Sequence, residues 1–434
     1  MRVLFTAYPE RTHFLLMAPL AWALRTAGHE VRFASQPKFT GEITQAGLTA
    51  VPVGRDRDLW QLLARDPSWL GQSDKGGMPL PYDVADRPAE EITWEYLSQG
   101  YAAQVERWHK TSNVPMIGDL VEFARHWQPD LVLWEPLTYA GALAAQAVGA
   151  AHARLLFGID MYGVAREHFL RLAAERPAGE RTDPMADWLG GYARKYGGEF
   201  GEELITGQAT VDLVPQCLQR RAGGLTYLPL RYVPYGGPAT VPAWLRRPPK
   251  RPRVALTLGL STTGHGGEYA VGVQDVLDAL GDLDIEVVAT LAEAEQRKLK
   301  RIPDNTTVAS FLPLDALAAT CDAVIHHAGF GTLATTALRG LPQLTLPWDN
   351  DGPALAEGVT RVGAGLRLNP KEATGADVRD AVLRLLSDPG LSRGAAGLRG
   401  AMLAQPTPNA MVPTLERFVA ERRERAAAAT VSGG

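Results

Sequence analysis

Residues 2–54, RVLFTAYPERTHFLLMAPLAWALRTAGHEVRFASQPKFTGEITQAGLTAVPVG, decide the fold. RVLFTAY (2–8) is a short apolar run of the kind that forms a fully buried strand. LMAPLAWALRTAG (16–28) carries helical periodicity and stops at Gly28, a residue suited to a helix C-terminus. HEVRFASQ (29–36) is a second strand, FTGEITQAG (39–47) a short helix stopped by Gly47, and LTAVPVG (48–54) a third strand. Strands alternating with helices in this order predict a parallel α/β sheet with a Rossmann-like opening. The G-x-G-x-x-G fingerprint of dinucleotide binders is missing after the first strand.

The rhythm breaks between about 55 and 115. This insertion holds DKGGMPLPYDVADRP (74–88) and an aromatic helical stretch, AEEITWEYLSQGYAAQVERWH (89–109). Long insertions in α/β domains serve as lids, pocket walls or partner surfaces. Trp94, Tyr96, Tyr101 and Trp108 fit such a wall equally as well as plain packing. Strand and helix alternate again through PDLVLWE (129–135), YAGALAAQAVGA (139–150) and HARLLFG (152–158).

TYLPLRYVPYGGPATVPAWLRRPPKR (226–251) is dense in proline and glycine and predicts an interdomain linker. A second series of strands and helices begins at RVALTLGLS (253–261). The expected organisation is a Rossmann-like domain over 1–225, the linker over 226–251 and a second Rossmann-like domain over 252–434, ending in a C-terminal helix. Ligands of such sheets lie at the carboxyl ends of the strands, so both domains are expected to face a common cleft.

A length of 434 residues supports two cores, and 46% apolar with 21% charged residues is ordinary for a soluble globular protein. The net charge of −4 argues against a general nucleic-acid binder. Cys217 and Cys321 stand alone, which excludes a disulfide framework or a cysteine zinc site and fits a reducing cytoplasm. Glu10, Arg11 and His13 interrupt the apolar N-terminus, so it does not read as a signal peptide. No run reaches the ~18 apolar residues of a membrane span. A soluble, cytoplasmic protein is expected.

Two stretches carry chemistry. HHAGFGT (326–332) joins a strand to a helix, with Gly329 and Gly331 where the backbone is expected to turn sharply. The following helix N-terminus suits a diphosphate, with His327 as a donor and Thr332 as a cap or phosphate partner. A glycine-rich turn that binds nothing gives the same pattern. His13 follows the first strand at its carboxyl edge and is either a general base or an uninvolved loop histidine. Glu135, directly after a strand at the same edge, could orient it, with Asp160 as a competing carboxylate. Glu135 could equally serve a helix dipole. The remaining histidines lack metal-ligand spacing. D-x-D occurs twice, at Asp56–Asp58 and Asp349–Asp351, yet no metal is expected.

FLPLDALAATCDAVIHHAGFGTLATTALRGLPQLTLPWDNDGPALAEGVTRVGAGL (311–366) resembles the donor-site segment of GT-B nucleotide-sugar glycosyltransferases. HFLLMAPLAWALRTAGHEVRFASQP (13–37), LLFGIDMYGVARE (155–167) and YVPYGGPATVPAWL (232–245) narrow this to the actinomycete antibiotic enzymes that attach TDP-deoxysugars to macrolide or anthracycline aglycones. The resemblance covers essentially the whole chain. It implies an α/β GT-B fold, with the acceptor held by the N-terminal domain and the TDP-sugar by the C-terminal one. It implies His13 as base with Glu135, where the family has aspartate, supporting it. It implies His327, Gly329, Gly331 and Thr332 around the diphosphate, and Ser261 as a hydroxyl near it. Phe311 would lie against the nucleobase and Leu312 would offer it backbone groups. Asp351 matches the acid of the family's sugar-gripping D-Q pair, whose Gln position is Gly352 here. The implied reaction is inverting transfer of a deoxysugar to a hydroxyl of a polyketide-type aglycone, without a cofactor beyond the TDP-sugar co-substrate. A haem-free cytochrome-like auxiliary protein is an implied partner, and a homodimer is a candidate assembly. A nucleotide-sugar epimerase and a non-catalytic sugar-nucleotide-binding helper remain the alternatives.

Overall fold

The computed structural model describes residues 1–57, 59, 62, 77–259 and 269–432. Among these residues the chain forms two wholly parallel sheets. The first contains β1 (Arg2–Thr6), β2 (Glu30–Ser35), β3 (Ala50–Pro52), β4 (Leu131–Trp134), β5 (Ala151–Leu155), β6 (Thr210–Asp212) and β7 (Tyr227–Pro229), in the order β3-β2-β1-β4-β5-β6-β7. The second contains β8 (Arg253–Thr257), β9 (Glu286–Thr290), β10 (Thr306–Ala309), β11 (Ala323–His326), β12 (Gln343–Thr345) and β13 (Gly365–Arg367), in the order β10-β9-β8-β11-β12-β13. Each sheet starts in its middle and winds outward both ways, so each has a switch point at the carboxyl ends of its first and fourth strands.

The central strands carry apolar residues on both faces because helices cover both. Val3, Leu4 and Phe5 of β1 are buried, as is all of LVLW in β4, and Val3 pairs with both Val31 and Leu131. Val254, Leu256, Ala323 and Ile325 play the same part in the second sheet.

The first helix, Arg11–Thr26, starts earlier than its apolar run, because the Glu10 carboxylate accepts the Thr12 N–H and caps a polar first turn. His13 therefore sits on a helix, not in a loop. In the insertion, Trp94 and Tyr101 are core residues packed against Phe169, with ring centroids 5.1 and 5.0 Å away. Their role is packing. Tyr96 is half-buried and donates to Asp83 at 2.7 Å.

The proline-rich segment opens with β7, paired in parallel to β6. Pro229 is tolerated there because β7 lies at a sheet edge, where a missing N–H leaves no neighbour unsatisfied. At the other end of the chain, the Pro408–Ser432 helix returns to the first sheet. Met411, Val412, Leu415 and Val419 enter its core, and Glu416 meets His29 at 3.0 Å. Among the described residues no helix is long and apolar enough to cross a membrane.

Candidate active site

The carboxyl ends of β1, β4 and β5 converge on His13. From the turn after β4, Glu135 sends Oε2 to within 3.5 Å of His13 Nδ1. That is wider than a good N–H···O bond, and such pairs tighten in substrate complexes. Glu135 is fully buried and well held. It accepts the backbone N–H of Tyr8 at 3.2 Å and of Leu137 at 2.9 Å, and the Thr138 hydroxyl also donates to it. From the end of β5, the Phe157 ring stacks on the His13 ring with centroids 3.7 Å apart and planes 6° apart. The His13 side chain keeps 13% of its surface exposed.

Asp160, the competing carboxylate, is occupied elsewhere. It takes a two-pronged bond from buried Arg154 at 3.0 and 2.8 Å, caps the Met161–Ala174 helix through Gly163 N–H, and accepts the Tyr227 hydroxyl at 2.7 Å. This is a structural ion pair.

In the second sheet, β11 ends at His326, whose ring is buried between Gln343 at 2.8 Å and the Ala328 N–H at 3.0 Å. Burial pushes its imidazole down to about 3, so it is neutral. His327 faces the other way. Burial lowers it too, against the opposing pull of Asp349 and the Thr257 backbone.

The expected turn at Gly329 and Gly331 is corrected here. Neither has a positive φ; the left-handed residue is Ala328, at φ 68°. Gly329 is needed for space: a Cβ there would stand 2.4 Å from His327 Nε2, and one on Gly259 would stand 2.6 Å from His327 Cε1. Two glycines thus form the slot that holds the imidazole. Thr332 is not the cap either. The Phe330–Arg339 helix begins before it, with Gly329 at the N-cap and no capping side chain. Gly331 and Thr332 lie on its first turn, where backbone N–H groups and the helix dipole favour an anion. The proline-rich segment fastens this turn, since Tyr232 donates to Gly331 O at 3.1 Å and meets the Thr335 hydroxyl at 3.0 Å.

Phe311 is 41% exposed, an unusual state for a large aromatic residue, and lies 4.0 Å from where a Gly236 Cβ would be. The Leu312 side chain is buried in a small cluster with Leu245, Leu317 and Cys321. Ser261 and Asp58 lie outside the described residues.

Asp351 reaches across to the first sheet. Its Oδ2 accepts the Ile159 N–H at 2.9 Å, and a Cβ on Gly158 would collide with that oxygen at 2.0 Å. Burial, reinforced by Asp349 and Asp86, pushes the Asp351 carboxyl up to about 6 despite the Ile159 N–H. The same loop is pinned from the insertion: Gly77 N–H donates to Trp348 O at 2.8 Å and Asn350 N–H to Gly77 O at 3.1 Å. A run of neighbouring residues results. It runs from Glu135 through His13 and Phe157 to Gly158, across to Asp351, and on to Gly352, whose Cβ position is 3.4 Å from His327 O.

Sequence reasoning missed Phe157, Gly158 and Gly259. All three follow a central strand at its carboxyl edge, which is the positional signal that could have found them.

Residues 22–259 match the family model described as erythromycin biosynthesis protein CIII-like, N-terminal domain, and residues 274–418 match its C-terminal counterpart. The chain is 46% identical to 10-deoxymethynolide desosaminyltransferase of Streptomyces venezuelae over 98% of both chains. It is 43% identical to aclacinomycin-T 2-deoxy-L-fucose transferase of Streptomyces galilaeus over 100% of both. Among solved structures, glycosyltransferase VinC in complex with dTDP superposes with a TM-score of 0.86 at 38% identity, covering 97% of this chain and 100% of that one.

Proposed function

The chain belongs to the erythromycin biosynthesis protein CIII-like family of glycosyltransferases, with the GT-B fold, and from that premise we propose that it moves a deoxysugar from a TDP-sugar to a hydroxyl of a polyketide-type aglycone, inverting the anomeric centre. The supporting observation is that a run of neighbouring residues leads from Glu135 and His13 in one half to Asp351 and His327 in the other. The names of the relatives favour transfer over an epimerase or a helper protein.

In this reading residues 1–225 hold the acceptor, 226–251 link the halves, and 252–434 hold the donor. His13 Nε2 takes the proton of the acceptor hydroxyl as that oxygen bonds to the anomeric carbon, and Glu135 stabilises the resulting imidazolium. The bond from the anomeric carbon to the diphosphate breaks on the opposite face. The departing charge falls on the first turn of the Phe330–Arg339 helix, with Gly331, Thr332 and a neutral His327 donating. Asp351 holds sugar hydroxyls, Ser261 lies near the phosphates, and Phe311 stacks on the base with Leu312 beside it. No cofactor or metal beyond the TDP-sugar enters. A cytoplasmic setting is supported by the unpaired Cys217 and Cys321.

The test is a mass-spectrometric panel of TDP-deoxysugars against aglycones of the relatives' classes, such as 10-deoxymethynolide and aklavinone. It is run with and without a haem-free cytochrome-like auxiliary protein. Glycosylated product is expected, and a His13→Ala variant should lose about 10²–10⁴ of the rate. Full transfer by His13→Ala would overturn the base assignment.

A further inference from the structure

We propose that Phe157 is a positioning residue for His13, fixing the plane of the imidazole so that one edge meets Glu135 and the other is presented to the acceptor hydroxyl. The inference rests on the reading of His13 as the base. Two neutral aromatic rings prefer offset or edge-on contact, with centroids roughly 4.5–7 Å apart. The other ring pairs around this site obey that preference: Phe157 meets Tyr162 edge-on at 6.2 Å, and Tyr162 meets Tyr82 tilted at 4.5 Å. The His13–Phe157 pair is closer and flatter than these, its rings 6° from parallel with centroids 3.7 Å apart.

Stacking this close gains strength when one ring carries positive charge, because the π-face is negative. His13 carries that charge once it has taken the acceptor's proton. Phe157 therefore fits the protonated state on the reaction path better than the resting one, and binding that strengthens along the path lowers the barrier. Glu135 stands 3.5 Å from Nδ1 at one edge of the ring, and Phe157 covers one face. Together they leave Nε2 directed away from both. Tyr162 braces Phe157, so the support is not a free-swinging side chain.

The test compares Phe157→Leu, Phe157→Met and Phe157→Tyr with His13→Ala, using the most active donor and acceptor of the panel. Leu and Met keep the site apolar but remove the π-face; Tyr keeps it. Thermal melts establish which variants are folded, and Met stands in should the Leu variant fail to fold. Phe157→Leu or Phe157→Met should lose about tenfold to a hundredfold in kcat with the donor KM within about twofold, and Phe157→Tyr should recover most of the loss. Wild-type kcat in the folded Leu or Met variant would overturn the proposal. So would a folded Tyr variant as slow as they are. Failure of the base assignment looks different, since it appears as transfer surviving in His13→Ala.

Discussion

The imidazole of His327 occupies the space that a side chain on Gly259 would need, with only 2.6 Å between Cε1 and the position of a Cβ. Gly259 also has a φ of +79°, which an L side chain tolerates poorly. Gly259→Ala should therefore displace His327 and lower affinity for TDP by about tenfold or more, as measured by calorimetry. Gly329→Ala, which brings a methyl to 2.4 Å from Nε2, should act in the same direction. Unchanged TDP binding in both variants would remove His327 from the diphosphate site.

These glycines also show where the sequence was legible. The strand–helix rhythm of residues 2–54 forecast the first sheet because burial on both faces leaves its mark within each strand. His13 and Glu135 could be placed at one sheet edge, since both follow strands that proved central. The polar turn that starts the helix at Arg11 was hidden because Thr12 and His13 add nothing to an apolar pattern. The left-handed position at Ala328 was hidden for another reason: Gly329 and Gly331 follow it closely and attract the assignment. Nothing local could reveal that Asp351 meets Ile159, 192 residues away, because that contact depends on how two sheets pack.

That contact makes a second prediction. Gly158→Ala places a methyl 2.0 Å from Asp351 Oδ2, so the carboxylate must move and lose the Ile159 N–H. Asp351→Ala removes the same bond from the other side. Each should cost about 1–3 kcal/mol in urea unfolding, and the double variant should cost clearly less than their sum. Additive losses would mean the two do not act through one contact. If Asp351 also grips sugar, Asp351→Ala should bind TDP normally yet no longer prefer the TDP-sugar.

A third prediction concerns pH. Burial holds His109, His152 and His326 down at about 3, against roughly 6.5 when unfolded. The folded chain thus binds fewer protons there, and the stability these groups contribute is complete above pH 6.5 and lost as pH falls toward 3. Asp351 and Asp212 are raised to about 6 and act oppositely, gaining stability as pH falls from 6 toward 4. Between pH 6.5 and 6 the histidines dominate. Unfolding free energy should fall below neutrality, and His152→Gln, far from the cleft on β5, should flatten the slope by up to one proton. At pH 5 that one histidine accounts for about 2 kcal/mol.

The last prediction separates two carboxylates that the sequence left in competition. Asp160 is buried and neutralises Arg154, which is itself buried in the first core. Asp160→Ala strands that guanidinium without its counter-charge, so it should cost about 3–5 kcal/mol and lower the melting temperature sharply. Whatever fraction remains folded should still transfer sugar within about threefold of the wild-type kcat. Glu135→Gln should do the reverse. The amide keeps the shape of the side chain but turns its NH2 toward the Tyr8 or the Leu137 N–H, so it should cost about 1–3 kcal/mol, less than Asp160→Ala. The charge that steadies a protonated His13 is gone, and kcat should fall by about a hundredfold or more. The two assays read different quantities, so they cannot be confused by partial unfolding. If Asp160→Ala instead proved folded and inactive while Glu135→Gln stayed active, the partner of His13 would have to be reassigned, and the 3.5 Å approach of Glu135 would be packing alone.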